Sequence, residues 1–243
     1  MTTITEDKHA IHAAAREGRL AAVESLLSAN PKLSSTRDPD DRLAIHWATS
    51  HNHPDIVRLL ASQKSFDPDA VDASGWTCLM MASSLKDDAG LDLVKFLLGK
   101  EADAKLASGT GGTALHFAVS KSNLEVAKTL LAAGASARAK DKRGQLPLHR
   151  AAAVGSVTIV KLLLQNRTPV NASDSDGMTA LHHAISEGHG DVAGELLKVE
   201  GLEVDKRDGE GRTALECAPD AKVREFVVAA GRREGFEFEG VDG

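Results

Sequence analysis

The chain has 243 residues, 42% of them hydrophobic and 26% charged, which is typical of a folded protein long enough for one large domain or a repeat array. The formal net charge of −6 disfavours a nucleic-acid partner, because phosphate binding requires a basic face. No apolar run is long enough to span a membrane, and two distant cysteines without an apolar N-terminal stretch predict neither a disulfide framework nor a secretory signal. We therefore expect a cytoplasmic and nuclear protein.

A ten-residue pattern recurs seven times along the chain, as AIHAAAREGR, AIHWATSHNH, CLMMASSLKD, ALHFAVSKSN, PLHRAAAVGS, ALHHAISEGH and ALECAPDAKV. Its third positions are His12, His46, Met80, His116, His149, His182 and Glu216, separated by 34, 34, 36, 33, 33 and 34 residues. This period and the His of the pattern resemble the ankyrin repeat, which has about 33 residues and the signature T-P-L-H-x-A. The resemblance implies an all-α ankyrin-repeat solenoid of seven helix-turn-helix repeats with β-hairpin tips.

Each repeat is predicted to contain a short inner helix, a tight turn, a longer outer helix and an extended connection. A second apolar stripe with the spacing of a helix begins nine residues after most signature alanines, as at Val57 and Val160. Asp-x-x-Gly sequences in the connections predict tight turns at the hairpin tips. The predicted repeats span residues 8–37, 38–71, 72–107, 108–140, 141–173, 174–207 and 208–230, between flexible tails at 1–7 and 231–243.

Two repeats depart from the pattern. Between Ala82 and Val94 the spacing is twelve residues rather than nine, so we expect three extra residues to bulge outward in the turn at 85–90. In the seventh repeat, Pro219 follows the signature Ala218, and a proline there is expected to truncate or distort the inner helix. Terminal repeats are often atypical because they cap the core.

The histidines and cysteines are interpreted as structural. In ankyrin repeats the signature His bridges backbone groups of neighbouring hairpins, which predicts this role for His46, His116, His149 and His182. A zinc site at His51 and His53 would need further ligands, and none is evident. Cys78 and Cys217 occupy packing positions without a positioned base. We therefore predict no enzyme activity, no cofactor and no metal site.

Partner specificity in repeat proteins is carried by the variable positions of tips and inner helices. The candidate protein-binding residues at these positions are Asp38, Asp40, Arg42, Trp47, Asp72, Trp76, Lys121, Arg143, Arg150 and His183. An aromatic side chain near a concave surface is a typical binding anchor. For the two tryptophans, packing between hairpins is the alternative interpretation.

Several stretches resemble the gankyrin family, and its fungal branch in particular: DPDDRLAIHWA, DASGWTCL, ALHFAVSKSNLEVAKTLL, KDKRGQLPLHRAAAVGSVTIVKLLL and SDGMTALHHAISEGHGD. The resemblance implies a non-enzymatic chaperone for assembly of the proteasome regulatory particle. Its concave face would hold the C-terminal domain of one base AAA ATPase subunit and delay docking to the core particle. Asp40 and Asp72 would then meet basic residues, Arg42 and Lys121 would meet carboxylates, and the free chain would be a monomer.

Two other functions stay open at this point. The first is an ankyrin adaptor for a different protein, such as a kinase inhibitor or a transcriptional cofactor. The second is an enzyme or a metal protein, which the residue pattern disfavours because no catalytic constellation is present. The identity of the bound partner separates the first alternative from the chaperone, and metal analysis tests the second.

Overall fold

A computed structural model describes residues 9–238 of the chain. Six helix pairs follow one another: α1 (Ala10–Arg16) and α2 (Leu20–Ala29), α3 (Ala44–Ser50) and α4 (Pro54–Leu60), α5 (Cys78–Ser83) and α6 (Leu91–Leu98), α7 (Ala114–Ser120) and α8 (Leu124–Ala132), α9 (Pro147–Ala153) and α10 (Val157–Gln165), and α11 (Ala180–Ser186) and α12 (Gly190–Leu197). A short 3-10 helix at Pro31–Ser35 follows α2. The seventh pair is a 3-10 helix at Leu215–Cys217 followed by α13 (Ala221–Arg233).

The odd-numbered helices from α1 to α11 pack on one another as an inner layer, and most successive even-numbered helices pack as an outer layer. One continuous core lies between the layers, built largely from alanine, leucine, isoleucine and valine side chains. The seven-repeat, all-helical solenoid predicted from the sequence is confirmed. No described helix is long and apolar enough to cross a membrane.

Hairpin tips connect the repeats and lie beside the inner layer. We number them by the repeat that they open: tip 2 (38–42), tip 3 (72–76), tip 4 (108–112), tip 5 (141–145), tip 6 (174–178) and tip 7 (208–212). Single antiparallel bridges flank tips 3, 4, 6 and 7. The fourth residue of each tip has a positive φ, at Gly in tips 3 to 7 and at Asp41, with φ of 57°, in tip 2. The inner helices and the tips together form the concave face.

The signature histidines fix the start of four inner helices. In His46, for example, Nδ1 accepts the backbone N–H of Leu43 at 2.9 Å, while Nε2 donates to the carbonyl of Ala70 at 3.0 Å. The same two contacts recur at His116, His149 and His182. Because both ring nitrogens are used inside the protein, the structural role predicted for these residues is confirmed.

The third repeat differs from the expected outward bulge. Leu85 packs partly against the core, and Asp88 turns toward the fourth repeat, where its Oδ1 accepts the N–H of Val126 at 3.0 Å. Asn123 completes this link by accepting the Asp88 N–H at 3.0 Å and donating to the carbonyls of Ser83 and Leu85. The insertion therefore caps the N-terminus of α8 and ties two repeats together.

The end of the solenoid also differs from the predicted boundary at residue 230. As expected from Pro219, the last inner helix is only the short 3-10 turn. Helix α13, however, continues to Arg233, and Phe236 and Phe238 pack back against the core. Burial of these two rings explains why residues 231–238 do not leave the domain as a free tail. The predicted tail at 1–7 and residues 239–243 lie outside the described part.

Candidate functional site

Each tip is organised around the side chain of its first residue. In tip 2, Asp38 Oδ1 accepts the backbone N–H groups of Asp40 and Arg42, both at 2.9 Å. The same pair of bonds, to the residues two and four positions later, is formed by Asp72, Asp141, Asp174 and Asp208. This is the local backbone bonding that favours Asp in turns. Tip 4 has Ser108 instead, whose Oγ accepts the N–H of Thr110.

In four of the five tips that begin with Asp, the second oxygen of the carboxylate binds a residue of the inner helix nine positions later. Trp47 Nε1 donates to Asp38 at 2.6 Å, Arg150 to Asp141 at 2.7 Å, and His183 contacts Asp174 at 2.9 Å. Cys217 Sγ contacts Asp208 at 3.8 Å in the seventh repeat. Three of the predicted binding residues, Trp47, Arg150 and His183, therefore hold the tips onto the inner helices.

Side chains also link successive tips. Arg42, the last residue of tip 2, donates from Nε to Asp72 Oδ2 at 3.0 Å. Gln145 of tip 5 likewise donates to Asp174 of tip 6 at 3.3 Å. Backbone bonds run in parallel with these contacts, from Ala73, Gly109, Lys142, Ser175 and Gly209 to a carbonyl of the preceding tip, at 2.8 to 3.0 Å. The tips thus form one hydrogen-bonded edge of the solenoid.

These contacts lower the pKa of Asp38, Asp141 and Asp174. Burial raises the pKa of Asp141, but the Arg150 hydrogen bond and two backbone N–H groups outweigh burial, so its pKa lies below the ordinary value. For Asp174 the opposing contact is the His183 side chain, and the net direction is again downward. The pKa of Asp38 is lowered in the same way against the effect of burial. Ionised carboxylates form the stronger hydrogen bonds that the turns require.

Asp72 corrects one prediction made from the sequence. Its side chain is only 2% exposed, and its two oxygens accept from Ser74, Trp76 and Arg42 inside the protein. The carboxylate therefore stabilises tip 3 and is not presented to a partner. Arg42, with 28% of its side chain exposed, is occupied by the same contact.

Three of the predicted residues are largely exposed. Asp40 and Lys121 are exposed, and Arg143 is exposed while forming a long 3.5 Å contact with Asp176 of the next tip. An ion pair between two such exposed groups contributes little to stability, so Arg143 remains available to another molecule. Asp40 lies at tip 2, Lys121 follows α7, and Arg143 lies at tip 5. The exposed charge of these three residues is thus acidic in the second repeat and basic in the fourth and fifth.

The two tryptophans have different environments. Trp47 donates its indole N–H to Asp38, and the guanidinium of Arg42 lies 4.7 Å from its ring centroid. Trp76 stacks on Phe117, with centroids 4.0 Å apart and planes inclined by 28°. Both side chains are half-buried. The sequence pattern identified Trp76 but missed Phe117, although Phe117 occupies the same register on its inner helix as Trp47 and Arg150.

Chemistry at the cysteines and the remaining histidines is disfavoured by their surroundings. Burial raises the pKa of Cys78 to about 12, so its thiol stays protonated near neutral pH and is a poor nucleophile. His51 and His53 contact the carbonyls of Trp47 and Arg16, respectively. Within residues 9–238 no three His, Cys, Asp or Glu side chains are close enough together to hold a metal ion.

Comparisons with known proteins agree with this architecture. A family model described as "Ankyrin repeats" matches in three copies, over residues 11–103, 85–174 and 166–228. The ankyrin repeat domain of human ASB11 superposes with a TM-score of 0.77 at 25% identity, covering 90% of this chain and 96% of that domain. The concave faces of repeat solenoids are extended binding surfaces.

Two fungal proteins are similar to parts of the chain. The probable 26S proteasome regulatory subunit p28 of Saccharomyces cerevisiae is 38% identical over 116 residues, which cover 46% of this chain and 49% of that protein. An ankyrin repeat-containing protein of Schizosaccharomyces pombe is 36% identical over 102 residues, covering 42% and 44%, respectively. The matched region thus spans about half the length of these relatives. The three copies of the family model together cover residues 11 to 228. The chain therefore belongs to the ankyrin-repeat family and is built as a protein-binding scaffold.

Proposed function

We propose that this protein is a non-enzymatic chaperone for assembly of the proteasome regulatory particle. Its concave face binds the C-terminal domain of a base AAA ATPase subunit, and the bound solenoid delays docking of the base onto the core particle. The observation that carries the proposal is the likeness to the probable proteasome regulatory subunit p28, at 38% identity over 116 residues. The ATPase partner is inferred from the stretches of sequence that resemble the gankyrin family.

The surface of the concave face supports a protein partner. Its exposed charges differ between the two halves of the solenoid, with Asp40 in the second repeat and Lys121 and Arg143 in the fourth and fifth. Such a distribution favours one orientation of a partner with the complementary distribution and accelerates its encounter. Half-buried aromatic side chains lie among these charges, as is typical of the energetic centre of an interface.

The rigid architecture explains how such a protein could act without catalysis. The tips are joined by backbone bonds and by side-chain contacts such as Arg42 to Asp72, so the face is ordered before a partner arrives. A preorganised surface loses little conformational entropy on binding. A solenoid bound to the ATPase domain would then block a second large partner sterically.

Affinity purification of the tagged protein from native extract, with identification of the recovered proteins, tests the proposal. We expect one base ATPase subunit in excess over the others and no proteolytic core subunits. Recovery of core subunits together with the base would contradict the proposed delay of docking. Recovery of an unrelated protein without any base ATPase would instead favour the ankyrin adaptor.

A fluorescent fusion of the protein should be found in the cytoplasm and the nucleus, in line with our expectation for its localisation. Size-exclusion chromatography of the purified protein should give the mass of a monomer, since we also propose that the free chain does not self-associate. A stable dimer that hides the concave face would contradict both this state and the proposed binding surface.

A further inference from the structure

In tips 2 and 5 the side chain of the last residue reaches forward to the following repeat. Arg42 reaches Asp72, and Gln145 reaches Asp174, by hydrogen bonds that close the edge of the solenoid. Trp76 occupies this position in tip 3 and also reaches forward, but its contact is the flat stack on Phe117. Between tips 3 and 4 the side-chain link is thus an aromatic stack and not a hydrogen bond.

The equivalent position in tip 4 carries no side chain, because residue 112 is glycine. A Cβ atom at Gly112 would lie 3.0 Å from Cζ of Phe117. The φ of Gly112 lies outside the left-handed region, so the backbone itself does not require glycine. The Phe117 ring therefore occupies the space that a side chain at position 112 would take, and Gly112 is buried beside it. We call the stacked, half-buried rings of Trp76 and Phe117, together with Gly112, the aromatic platform.

The indole N–H of Trp76 is not used within the protein. Trp47 Nε1 donates to Asp38, whereas no residue in the described range accepts from Trp76 Nε1. This nitrogen is not among the buried polar atoms that lack a partner, so solvent reaches it. Buried Trp N–H groups at interfaces usually find an acceptor, and a partner could supply one here.

Charge separates the platform from its neighbours. The tip residues on either side of Trp76 and before Gly112 are uncharged, with the exception of the buried Asp72: Ala73, Ser74, Gly75, Ser108, Gly109, Thr110 and Gly111. Exposed carboxylates begin in tip 2, at Asp40 and Asp41, and exposed cations begin in tip 5, at Lys142 and Arg143. Among the tips, the platform is therefore a neutral step between an acidic tip and a basic tip, while the exposed Lys121 lies at the end of the helix that carries Phe117.

We propose that the aromatic platform is the anchor of the concave face, occupied by one aliphatic side chain of the protein partner. A carbonyl or carboxylate oxygen beside that side chain accepts the Trp76 N–H. The flanking charges place a basic residue of the partner toward tip 2 and an acidic residue toward tip 5. Trp47, by contrast, is a structural residue of tip 2. The identity of the partner rests on the proposed function, whereas the chemistry of the anchor does not.

Binding of the isolated C-terminal domain of the base ATPase to point variants tests the anchor. Trp76→Ala should weaken binding by at least about 30-fold, as expected for a central tryptophan. Trp76→Phe keeps the stack but removes the N–H, and should weaken binding about 3- to 10-fold. Phe226→Ala, which removes an aromatic side chain 54% exposed on α13, is the matched control and should leave affinity within about twofold.

Gly112→Gln places a side chain against the Phe117 ring. A Cβ atom there would lie 3.0 Å from the ring, so the ring must shift and its stack on Trp76 is disturbed. We expect a lower melting temperature and at least about 10-fold weaker binding. The anchor would be refuted if Trp76→Ala and Trp76→Phe both fold normally and bind the domain as tightly as the natural chain.

A peptide library displayed on phage and selected on the purified chain separates the anchor from the proposed partner. If no base ATPase domain binds, the proposed function fails, and the peptides still decide the anchor. Peptides that share one aliphatic position and lose binding to Trp76→Ala and Gly112→Gln would support it. Peptides that bind all variants equally, or failure to enrich any aliphatic position, would overturn it.

Discussion

Arg42 donates a hydrogen bond from Nε to Asp72 Oδ2 at 3.0 Å, across the boundary between the second and third repeats. Only 2% of the Asp72 side chain is exposed, and its other oxygen is occupied by two backbone N–H groups. Arg42, which the sequence pattern suggests as a surface contact, is therefore a structural link between tips 2 and 3. Replacement of Arg42 should affect folding before it affects binding.

Arg42→Glu should lower the free energy of unfolding by about 1 to 3 kcal/mol, because it leaves a buried carboxylate without its partner and adds a second negative charge. Lys121→Glu, at an exposed position, should change it by less than about 0.5 kcal/mol. Urea denaturation of both variants provides the comparison. Equal stability of the two would show that the Arg42 to Asp72 contact contributes nothing to the fold.

Asp88→Ala should destabilise the protein by about 0.5 to 2 kcal/mol, which is the usual effect of removing a helix cap. Asp88 accepts the N–H of Val126 at 3.0 Å and that of Glu125 at 3.3 Å from the adjacent repeat. Hydrogen exchange should become faster in the first turn of α8. Lys86→Ala, in the exposed part of the same loop, is the control and should leave exchange in α8 unchanged.

Stability should decrease as the pH falls from about 7.5 to 5. Burial lowers the pKa of His46, His116, His149 and His182 in the folded chain, so the unfolded chain, with an ordinary pKa of about 6.5, binds more protons in this window. The stabilising contribution is thus complete above pH 6.5 and is lost below it. We expect a loss of at least about 1 kcal/mol, measured by urea denaturation at the two pH values.

His116→Met is the control for this pH dependence, because Met80 occupies the same register in the third repeat. Asp141 raises the pKa of His116 and Arg150 lowers it, but burial is the largest effect. The variant should be less stable near neutral pH and should show a shallower loss of stability on acidification. A pH profile parallel to that of the natural chain would contradict the role given to the buried imidazole.

Salt should slow association with the ATPase domain more than it accelerates dissociation, because exposed charges steer the encounter. Lys121→Glu and Arg143→Glu should each reduce the association rate, and the reduction should be greatest at low ionic strength. Stopped-flow mixing at two salt concentrations measures both rates. Rates that do not depend on ionic strength would remove the electrostatic part of the proposed recognition.

The repeat architecture could be predicted because it rests on local patterns. The period of the signature, the apolar stripes and the proline at 219 specify the helix pairs and the shortened seventh inner helix. The Asp88 cap could not be derived from spacing, since an insertion shows where extra residues enter but not which neighbour they contact. Packing of Phe236 and Phe238 likewise depends on where the chain turns after α13.

The structural contacts of several candidate site residues could not be predicted, because charge alone does not separate a turn residue from a contact residue. The nine-residue spacing from Asp38 to Trp47, repeated from Asp141 to Arg150, was the available signal for a structural pair. The stack of Trp76 on Phe117 depends on side-chain directions across two repeats, which sequence spacing does not determine.

Hydrogen–deuterium exchange of the chain, free and with an excess of the C-terminal ATPase domain, tests the central claim most directly. Binding on the concave face predicts slower exchange in tips 2 to 5 and in the inner helices α3, α5, α7 and α9, with no change in the outer helices α4, α8 and α10. Protection confined to the outer helices, or identical exchange with and without the domain, would contradict the account.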